Sequence, residues 1–250
     1  MSDLFLSRAI EAARAAGQKQ RAALGTVKEV DAATDHDVKL RLDSECQELI
    51  TAMLLESFPT HTVFGEEGGS ALGASEYQWI VDPIDGTVNF FHNFPHFCAA
   101  IALQHRGRTI AAVTYDPNRD ELFTAEKGKG AFLNGRRLAV SRCAAVRDAM
   151  VSTGFSKGKE VVDQSIALVT WYGLNAQKLR MNGSAALDLA YVAAGRLDIY
   201  LERSIRLWDV AGGALLVEEA GGQAELEPLA GQEHAFTLVA SNGRVPVRRW

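Results

Sequence analysis

The chain has few cysteines and no long apolar run. Its 250 residues include three cysteines, Cys46, Cys98 and Cys143, which form neither a C-x-x-C pattern nor an even set. This argues against a zinc or dithiol motif and a disulfide framework, and it is typical of a reducing compartment. No apolar run reaches the roughly 18 residues of a membrane-spanning helix, and the first residues, MSDL, carry no basic segment before an apolar one. We therefore expect a cytoplasmic protein with no membrane partner.

Basic residues are fewer than acidic residues. There are 26 Lys and Arg against 31 Asp and Glu, which gives a net charge of −5. Nucleic-acid binding needs clustered basic side chains, so we expect no nucleic-acid partner. The P-loop pattern G-x-x-x-x-G-K-[ST] does not occur either. The length suits a single domain over residues 1–250, with an N-terminal half (about 1–140) packed against a C-terminal half (about 141–250).

Helical and strand-like periods alternate along the chain. The Ala-rich segment 4–24 predicts a first helix, and an apolar stripe over 38–54 predicts a second one with Thr34 or Asp35 as its N-cap. The predicted strands are 61–64, 77–81, 98–104, 109–115, 121–125 and 197–201, and the predicted later helices are 184–194 and 209–220. This mixture predicts a layered α/β or α+β fold.

The most informative stretch is 79–89, WIVDPIDGTVN, in which an apolar strand runs into two aspartates. Asp82 and Asp85 are separated by Pro83-Ile84, and Gly86-Thr87 follows where a helical turn can begin. Free backbone N–H groups at such a turn hold phosphate, and carboxylates tolerate a phosphate nearby only with a hard cation between them. Oxygen ligands of this kind suit Mg²⁺. Read alone, the stretch is equally typical of a plain Asp-Pro-Gly turn.

Two further segments end in a carboxylate followed by small residues. Residues 64–69, FGEEGG, place Glu66 and Glu67 after an apolar strand, and residues 207–213, LWDVAGG, place Asp209 at a helix start. By itself the first is typical of a solvated loop and the second of an N-cap. Together, the three segments can converge on a pair of metal ions that clamps the attacking and leaving oxygens of a displacement.

The aspartate spacing excludes one chemistry that uses a covalent phosphoryl carrier. A D-x-D-G-T motif uses its first aspartate as a covalent phosphoryl carrier, whereas two residues separate Asp82 from Asp85. The register is therefore wrong for that chemistry.

These three segments together resemble the inositol monophosphatase family of Mg²⁺-dependent, lithium-sensitive phosphatases. Residues 82–90, DPIDGTVNF, resemble its central signature, and residues 208–213 with 219–222 resemble its C-terminal one. Gly65-Glu66-Glu67 stands at the expected distance before the first, and the resemblance runs from about residue 35 to residue 222. It implies a layered α-β-α-β-α sandwich that forms a homodimer.

The resemblance also implies roles for individual positions. Two or three Mg²⁺ ions, replaceable by Mn²⁺, would be held by Glu66, Asp82, Asp85, Asp209 and the carbonyl of Ile84, with Asp82 as the bridge. Thr87, paired with Asp35, and Glu66 would orient or deprotonate the attacking water. The implied substrate contacts are Asp85, Gly86, Thr87, Gly183, Ser184, Ala185, Glu202 and Asp209.

One stretch departs from the family pattern. The family commonly carries D-x-V-T-x-x-D before its second helix, whereas residues 29–35 read EVDAATD. The final Asp35 fits, but Asp31-Ala32 replaces the Val-Thr pair. This departure bears on the role of Asp35 and on the third metal.

The implied reaction is hydrolysis of a small phosphomonoester by metal-activated water. Residues 89–95, NFFHNFP, resemble the inositol and fructose-bisphosphate branches, so the leading substrate is myo-inositol monophosphate. The alternatives are fructose 1,6-bisphosphate and histidinol phosphate. An alternative of another class is a protein-interaction role, because SuhB-like members of the family also assist transcription complexes.

Overall fold

The computed structural model describes residues 2–33, 38–155 and 159–250. Its helices are α1 (Ser2–Ala23), α2 (Arg41–Ser57), α3 (Thr87–Phe91), α4 (Lys159–Asn175), α5 (Ala185–Ala193) and α6 (Leu207–Glu219), with a 3₁₀ turn at Val146–Asp148. Its strands are β1 (Val30–Ala33), β2 (Val38–Leu40), β3 (Thr62–Gly65), β4 (Gly68–Gly69), β5 (Tyr77–Asp85), β6 (Cys98–His105), β7 (Arg108–Asp116), β8 (Glu121–Glu126), β9 (Gly130–Leu133), β10 (Arg136–Arg137), β11 (Met150–Phe155), β12 (Lys178–Arg180), β13 (Ile199–Arg206), β14 (Gln223–Pro228) and β15 (Ala235–Ser241).

The first large sheet has eight strands in the order β10-β9-β8-β7-β6-β5-β3-β4. Its neighbours pair antiparallel except β3 with β5. One face is covered by α1 and α2, whose small and apolar side chains pack on Trp79, Ile101 and Val113. Because alternate residues of a strand point to opposite faces, Ala112 of the same β7 strand instead packs on the other side of the sheet.

The second sheet has five strands in the order β12-β11-β13-β15-β14, with β11 parallel to both of its neighbours. Helices α5 and α6 lie between the two sheets, where Leu189 and Leu216 share a core with Tyr200 and Leu238 of the second sheet. Helix α4 covers the outer face of that sheet through Leu168 and Tyr172. The order is thus helices, sheet, helices, sheet, helix, which confirms the predicted five-layer α-β-α-β-α sandwich.

The predicted start of the second helix is wrong. Residues Val38–Leu40 form a short strand that pairs with β1, and Leu40 is the N-cap of α2. The backbone N–H of Leu40 donates to the Asp43 carboxylate (2.9 Å), so an acid inside the first turn caps the helix. Thr34 and Asp35, predicted as the cap, lie outside the described residues.

Among the residues that the structure describes, no helix is both long and apolar enough to cross a membrane. The first large sheet ends at Arg137 and the second begins in sequence at Met150. A single domain of two packed halves stays a prediction.

Candidate metal centre

Asp82 and Asp85 both lie at the carboxyl end of β5. Residues three apart in a regular strand face opposite sides, but the pairing of β5 with β6 is irregular between these two aspartates. Asp82 accepts a hydrogen bond from the N–H of Ile84 (3.0 Å), which folds the intervening backbone back on itself. The irregularity therefore lets both carboxylates reach one point.

Asp209 reaches the same point from the other half of the chain. It occupies the third position of α6, and its carboxylate accepts the N–H of Arg206 (2.9 Å), the last residue of β13. The N-cap of α6 is therefore Arg206, and Asp209 contributes to the cap from the third position of the helix instead of being the N-cap itself. Carboxylate oxygens of Asp82, Asp85 and Asp209 all lie within 4.8 Å of one another, so this aspartate also belongs to an acidic cluster.

The electrostatics of the cluster favour a bound cation. Burial and the charge of Glu66 raise the pKa of Asp82 well above its usual range, and burial with the charge of Asp85 raises the pKa of Asp209 to about 7. Each carboxylate thus destabilises the charge on its neighbours. Three oxygen donors at this spacing fit a hard divalent ion, which would remove that repulsion.

Glu66 lies beside the cluster, in the turn that follows β3. Its backbone N–H donates to the carbonyl of Val81 (3.2 Å), which ties this turn to β5. The residue is exposed at the mouth of the site, yet protein atoms desolvate its carboxyl. That desolvation, together with the charge of Asp209, raises its pKa to about 9. Glu66 is therefore placed as a fourth acidic group around the same point.

A glutamine of α2 forms hydrogen bonds with the turn that follows β3. The side chain of Gln47 accepts the N–H of Glu67 (3.0 Å) and donates to the carbonyl of Gly68 (2.9 Å). A Cβ at Gly65 would overlap the Gln47 amide, so a larger residue there would have to displace that side chain. The Glu67 side chain is only 6% exposed and pairs with Lys39 at 2.5 Å. This carboxylate is therefore engaged with a lysine, which argues against a role as a metal ligand.

Gly86 determines the backbone conformation between β5 and α3. Its φ is +98°, and a Cβ there would lie 2.9 Å from the carbonyl oxygen of His96. Helix α3 begins directly afterwards at Thr87, whose hydroxyl donates to the carbonyl of Ile84 (2.9 Å) or to the Asp43 carboxylate (3.2 Å). The structure therefore brings Ile84, Gly86 and Thr87 to the acidic cluster.

Asp43 is a functional candidate that the sequence interpretation missed. The family resemblance assigned the partner of Thr87 to Asp35, which lies outside the described residues, whereas the structure gives Thr87 the carboxylate of Asp43. Burial is the main cause that raises the pKa of Asp43 to about 7. A signal was present, because residues 37–43, DVKLRLD, carry an Asp at both ends of the seven-residue D-x-V-T-x-x-D pattern, whereas residues 29–35, EVDAATD, begin with Glu29.

The predicted substrate contacts at 183–185 wrap around Asp85. Its carboxylate accepts the Ser184 hydroxyl (2.5 Å) and the N–H groups of Ala185 (3.2 Å) and Ala186 (2.7 Å). Burial raises the pKa of Asp85, and these hydrogen bonds oppose the increase. The carbonyl of Gly183 accepts a hydrogen bond from the side-chain amide of Asn89 in α3 (3.2 Å).

Glu202 closes the site on the side of the second sheet. It accepts a hydrogen bond from the hydroxyl of Tyr200, and burial raises its pKa to about 8. A cavity of about 400 Å³ joins it to the acidic cluster. Its lining includes Glu66, Asp82, Ile84, Asp85, Gly86, Thr87, Gly183, Ser184, Ala185, Glu202 and Asp209. A larger groove of about 970 Å³ between residues 72–76 and α6 contains none of these residues.

The arrangement combines an anionic metal-binding end with a polar wall. The acidic end offers only oxygen donors, and the cavity that leads away from it is bounded by Ser184, Ala185 and Glu202. Such a site can take a ligand that has an anionic group at the acidic end and polar groups along the wall. The oxygen-only donor set thus fits the magnesium ions that the family resemblance implies.

Comparisons with known proteins agree with this geometry. The model of the inositol monophosphatase family matches residues 2–242. The Nus factor SuhB of Salmonella typhimurium is 41% identical over 247 residues, which cover 96% of this chain and 92% of that protein. The Nus factor SuhB of Pseudomonas aeruginosa is 43% identical over 229 residues, which cover 87% and 83%.

Solved structures give the same result. An inositol monophosphatase from Anabaena superposes with a TM-score of 0.85 at 36% identity, covering 97% of this chain and 92% of that one. The extragenic suppressor protein suhB from Bartonella henselae superposes with a TM-score of 0.88 at 34% identity, covering 95% and 93%. With a matching fold, a family model over nearly its whole length and the acidic cluster at the predicted motifs, the chain belongs to the inositol monophosphatase family.

Proposed function

We propose that the protein is a Mg²⁺-dependent phosphomonoesterase that hydrolyses a small polyol phosphate, with myo-inositol monophosphate as the leading substrate. The observation that supports it most is the convergence of Asp82, Asp85 and Asp209 within 4.8 Å at one end of a cavity that suits a small ester. Asp82, Asp85, Asp209, Glu66 and the carbonyl of Ile84 would hold two or three ions. Bound magnesium supplies Lewis-acid activation of the attacking water and charge neutralisation at the phosphoryl group.

The chain's own groups then orient the reactants. When the Thr87 hydroxyl donates its hydrogen bond to Asp43, its lone pairs are free to accept a hydrogen bond from a water molecule. Glu66 lines the same cavity and would accept a proton from that water. Gly86 and Thr87 line the cavity, and their backbone N–H groups would donate to phosphoryl oxygens there.

A substrate panel tests this proposal. Phosphate release is measured with Mg²⁺ on myo-inositol 1-phosphate, fructose 1,6-bisphosphate and histidinol phosphate, and Asp82→Asn serves as the inactive control. We expect the highest kcat/KM for the inositol ester and inhibition by lithium. A preference of more than about tenfold for histidinol phosphate or the bisphosphate would replace the leading substrate. Absence of release from all three would refute the phosphatase proposal.

A second candidate function is a transcription-accessory role. It is favoured by the relatives, which carry the name Nus factor SuhB at 41–43% identity. Asp209→Asn separates the two functions, because it removes a carboxylate from the cluster without altering the outer surface. We expect this variant to lose turnover and to retain any binding to transcription complexes. Lost binding with retained turnover would contradict the assignment of Asp209.

Other properties complete the proposal. We infer a homodimer from the family resemblance and a cytoplasmic location from the scattered cysteines. Sedimentation velocity on the purified chain tests the first, because a monomer at micromolar concentration would exclude a stable dimer. Cell fractionation tests the second.

A further inference from the structure

Tyr200 and Glu202 lie two residues apart on β13 and face the layer between the two sheets. Tyr200 is 1% exposed and belongs to the core formed with α5 and α6. Because alternate strand residues share a face, Glu202 continues the same row toward the cavity. The Tyr200 hydroxyl donates to Oε2 of Glu202, so a rigid core residue holds one end of this carboxylate.

The neighbouring strand provides the space for the carboxylate. Gly154 of β11 pairs directly with Glu202 in the parallel ladder. A Cβ on Gly154 would overlap Oε2 and lie 2.9 Å from Oε1. The Glu202 carboxylate therefore rests over a glycine, and any larger residue at 154 would push it away. The Tyr200 hydroxyl and the space left by Gly154 together restrict the Glu202 carboxylate to one position.

This restriction matters for binding. A glutamate side chain has three rotatable bonds, and fixing them on ligand binding costs free energy unless they are already fixed. Tyr200 occupies Oε2, which leaves Oε1 as the acceptor for a ligand in the cavity. Among the described lining residues, Glu202 approaches from the second sheet, whereas the acidic cluster lies at the end of β5 and the start of α6. It is therefore placed for the alcohol part of an ester rather than for its phosphate.

We propose that Tyr200 is a positioning residue that fixes Glu202 over Gly154 as an acceptor for the hydroxyl groups of a polyol phosphate. The proposal rests on the proposed phosphatase function and extends it to the choice of alcohol. The preference for polyol esters over esters without hydroxyl groups then depends on Tyr200, a residue buried in the core.

The test compares Tyr200→Phe with the wild type on two substrates. Myo-inositol 1-phosphate carries hydroxyl groups, and 4-nitrophenyl phosphate carries none. We expect KM for the inositol ester to rise about five- to tenfold, with kcat changed by less than about twofold, because a contact remote from the reacting bond acts on binding. Both constants for 4-nitrophenyl phosphate are expected to move by less than about twofold.

A matched control and a second variant accompany it. Tyr172 is also buried, and its hydroxyl donates to the carbonyl of Arg248 (2.9 Å) under α4, so Tyr172→Phe removes an equivalent group away from the cavity. It should leave both substrates unaffected. Gly154→Ala keeps Tyr200 and displaces the carboxylate, so it should reproduce the selective rise in KM.

A double-mutant cycle shows whether Tyr200 acts through Glu202. If it does, Tyr200→Phe adds nothing to the KM of Glu202→Ala for the inositol ester. Additive effects, or an equal loss on both substrates, would mean a merely structural role and would overturn the proposal. Failure of the wild type to hydrolyse either ester would instead refute the proposed function, and this inference with it.

Discussion

The hydroxyl of Thr87 lies 3.2 Å from one carboxylate oxygen of Asp43, and the other oxygen of Asp43 accepts the N–H of Leu40 at 2.9 Å. One side chain thus caps α2 and orients the first residue of α3. Since Thr87 lines the cavity beside Asp82 and Asp85, this pair connects the start of a long helix to the reacting region.

We expect Asp43→Asn to reduce phosphate release about a hundredfold. The amide keeps the size and one oxygen of the carboxylate, but its NH₂ group can donate to Thr87 and turn the hydroxyl away from its catalytic orientation, which removes a contribution typical of general acid–base catalysis. The measurement is kcat with saturating Mg²⁺ on the inositol ester. Glu48→Gln, at an exposed position of the same helix, is the control. Turnover within about twofold of the wild type would exclude a role for Asp43.

The ammonium of Lys39 offers a second test, because it lies 2.5 Å from the buried Glu67 carboxylate, next to Glu66. A positive charge there opposes the entry of a divalent cation. We expect Lys39→Gln to lower the apparent Kd for Mg²⁺ about fivefold, or about 1 kcal/mol, in calorimetric titrations. Lys19→Gln breaks a similar pair with Glu45 elsewhere on the surface and should change nothing. Unchanged affinity in Lys39→Gln would show that Glu67 screens the ammonium completely.

Magnesium is expected to stabilise the folded chain, because only the folded state brings the three aspartates together. At a hundredfold excess over Kd, the stabilisation is about 2.7 kcal/mol, which corresponds to a rise in Tm of roughly 5–10 °C. Asp82→Asn should lose most of this increase, whereas Glu67→Gln, which removes no proposed ligand, should keep it. Equal losses in the two variants would require the ligand roles to be assigned again.

Particular residues show how far the sequence predicts this site. Asp82, Asp85 and Asp209 were found because strand ends followed by small residues are local patterns, and the family resemblance joined them. Asp43 was missed because its helix begins three residues later than the apolar stripe suggests, after a short strand that depends on pairing with β1. The Tyr200–Glu202–Gly154 arrangement could not be predicted, since it depends on the register between β11 and β13, which no local pattern encodes.

The buried Asp188 predicts a measurable pH dependence of stability. Its carboxylate accepts the Ser152 hydroxyl and the Asn182 amide, both at 2.6 Å, and burial raises its pKa from 3.8 to about 7. Between about pH 4 and about pH 7 the folded state therefore holds a proton that the unfolded state has released, so stability falls as the pH rises through this window. We expect Asp188→Asn to flatten that fall in urea denaturation. Asp163→Asn, at an exposed position of α4, should leave it unchanged; identical slopes in all three proteins would contradict the raised pKa.

The final prediction separates backbone strain from close packing at two glycines with positive φ. Gly107 has a φ of +75° with nothing within 4 Å of a Cβ, whereas Gly86 has a φ of +98° and a Cβ there would lie 2.9 Å from the His96 carbonyl oxygen. Gly107→Ala should therefore cost only the conformational penalty of about 1–2 kcal/mol and keep full turnover. Gly86→Ala should cost more in urea denaturation and reduce turnover more than about a hundredfold, because relieving the overlap displaces Ile84 and Thr87 from the cluster. Equal losses of stability, together with retained turnover in Gly86→Ala, would show that the backbone at this turn adapts without moving the site.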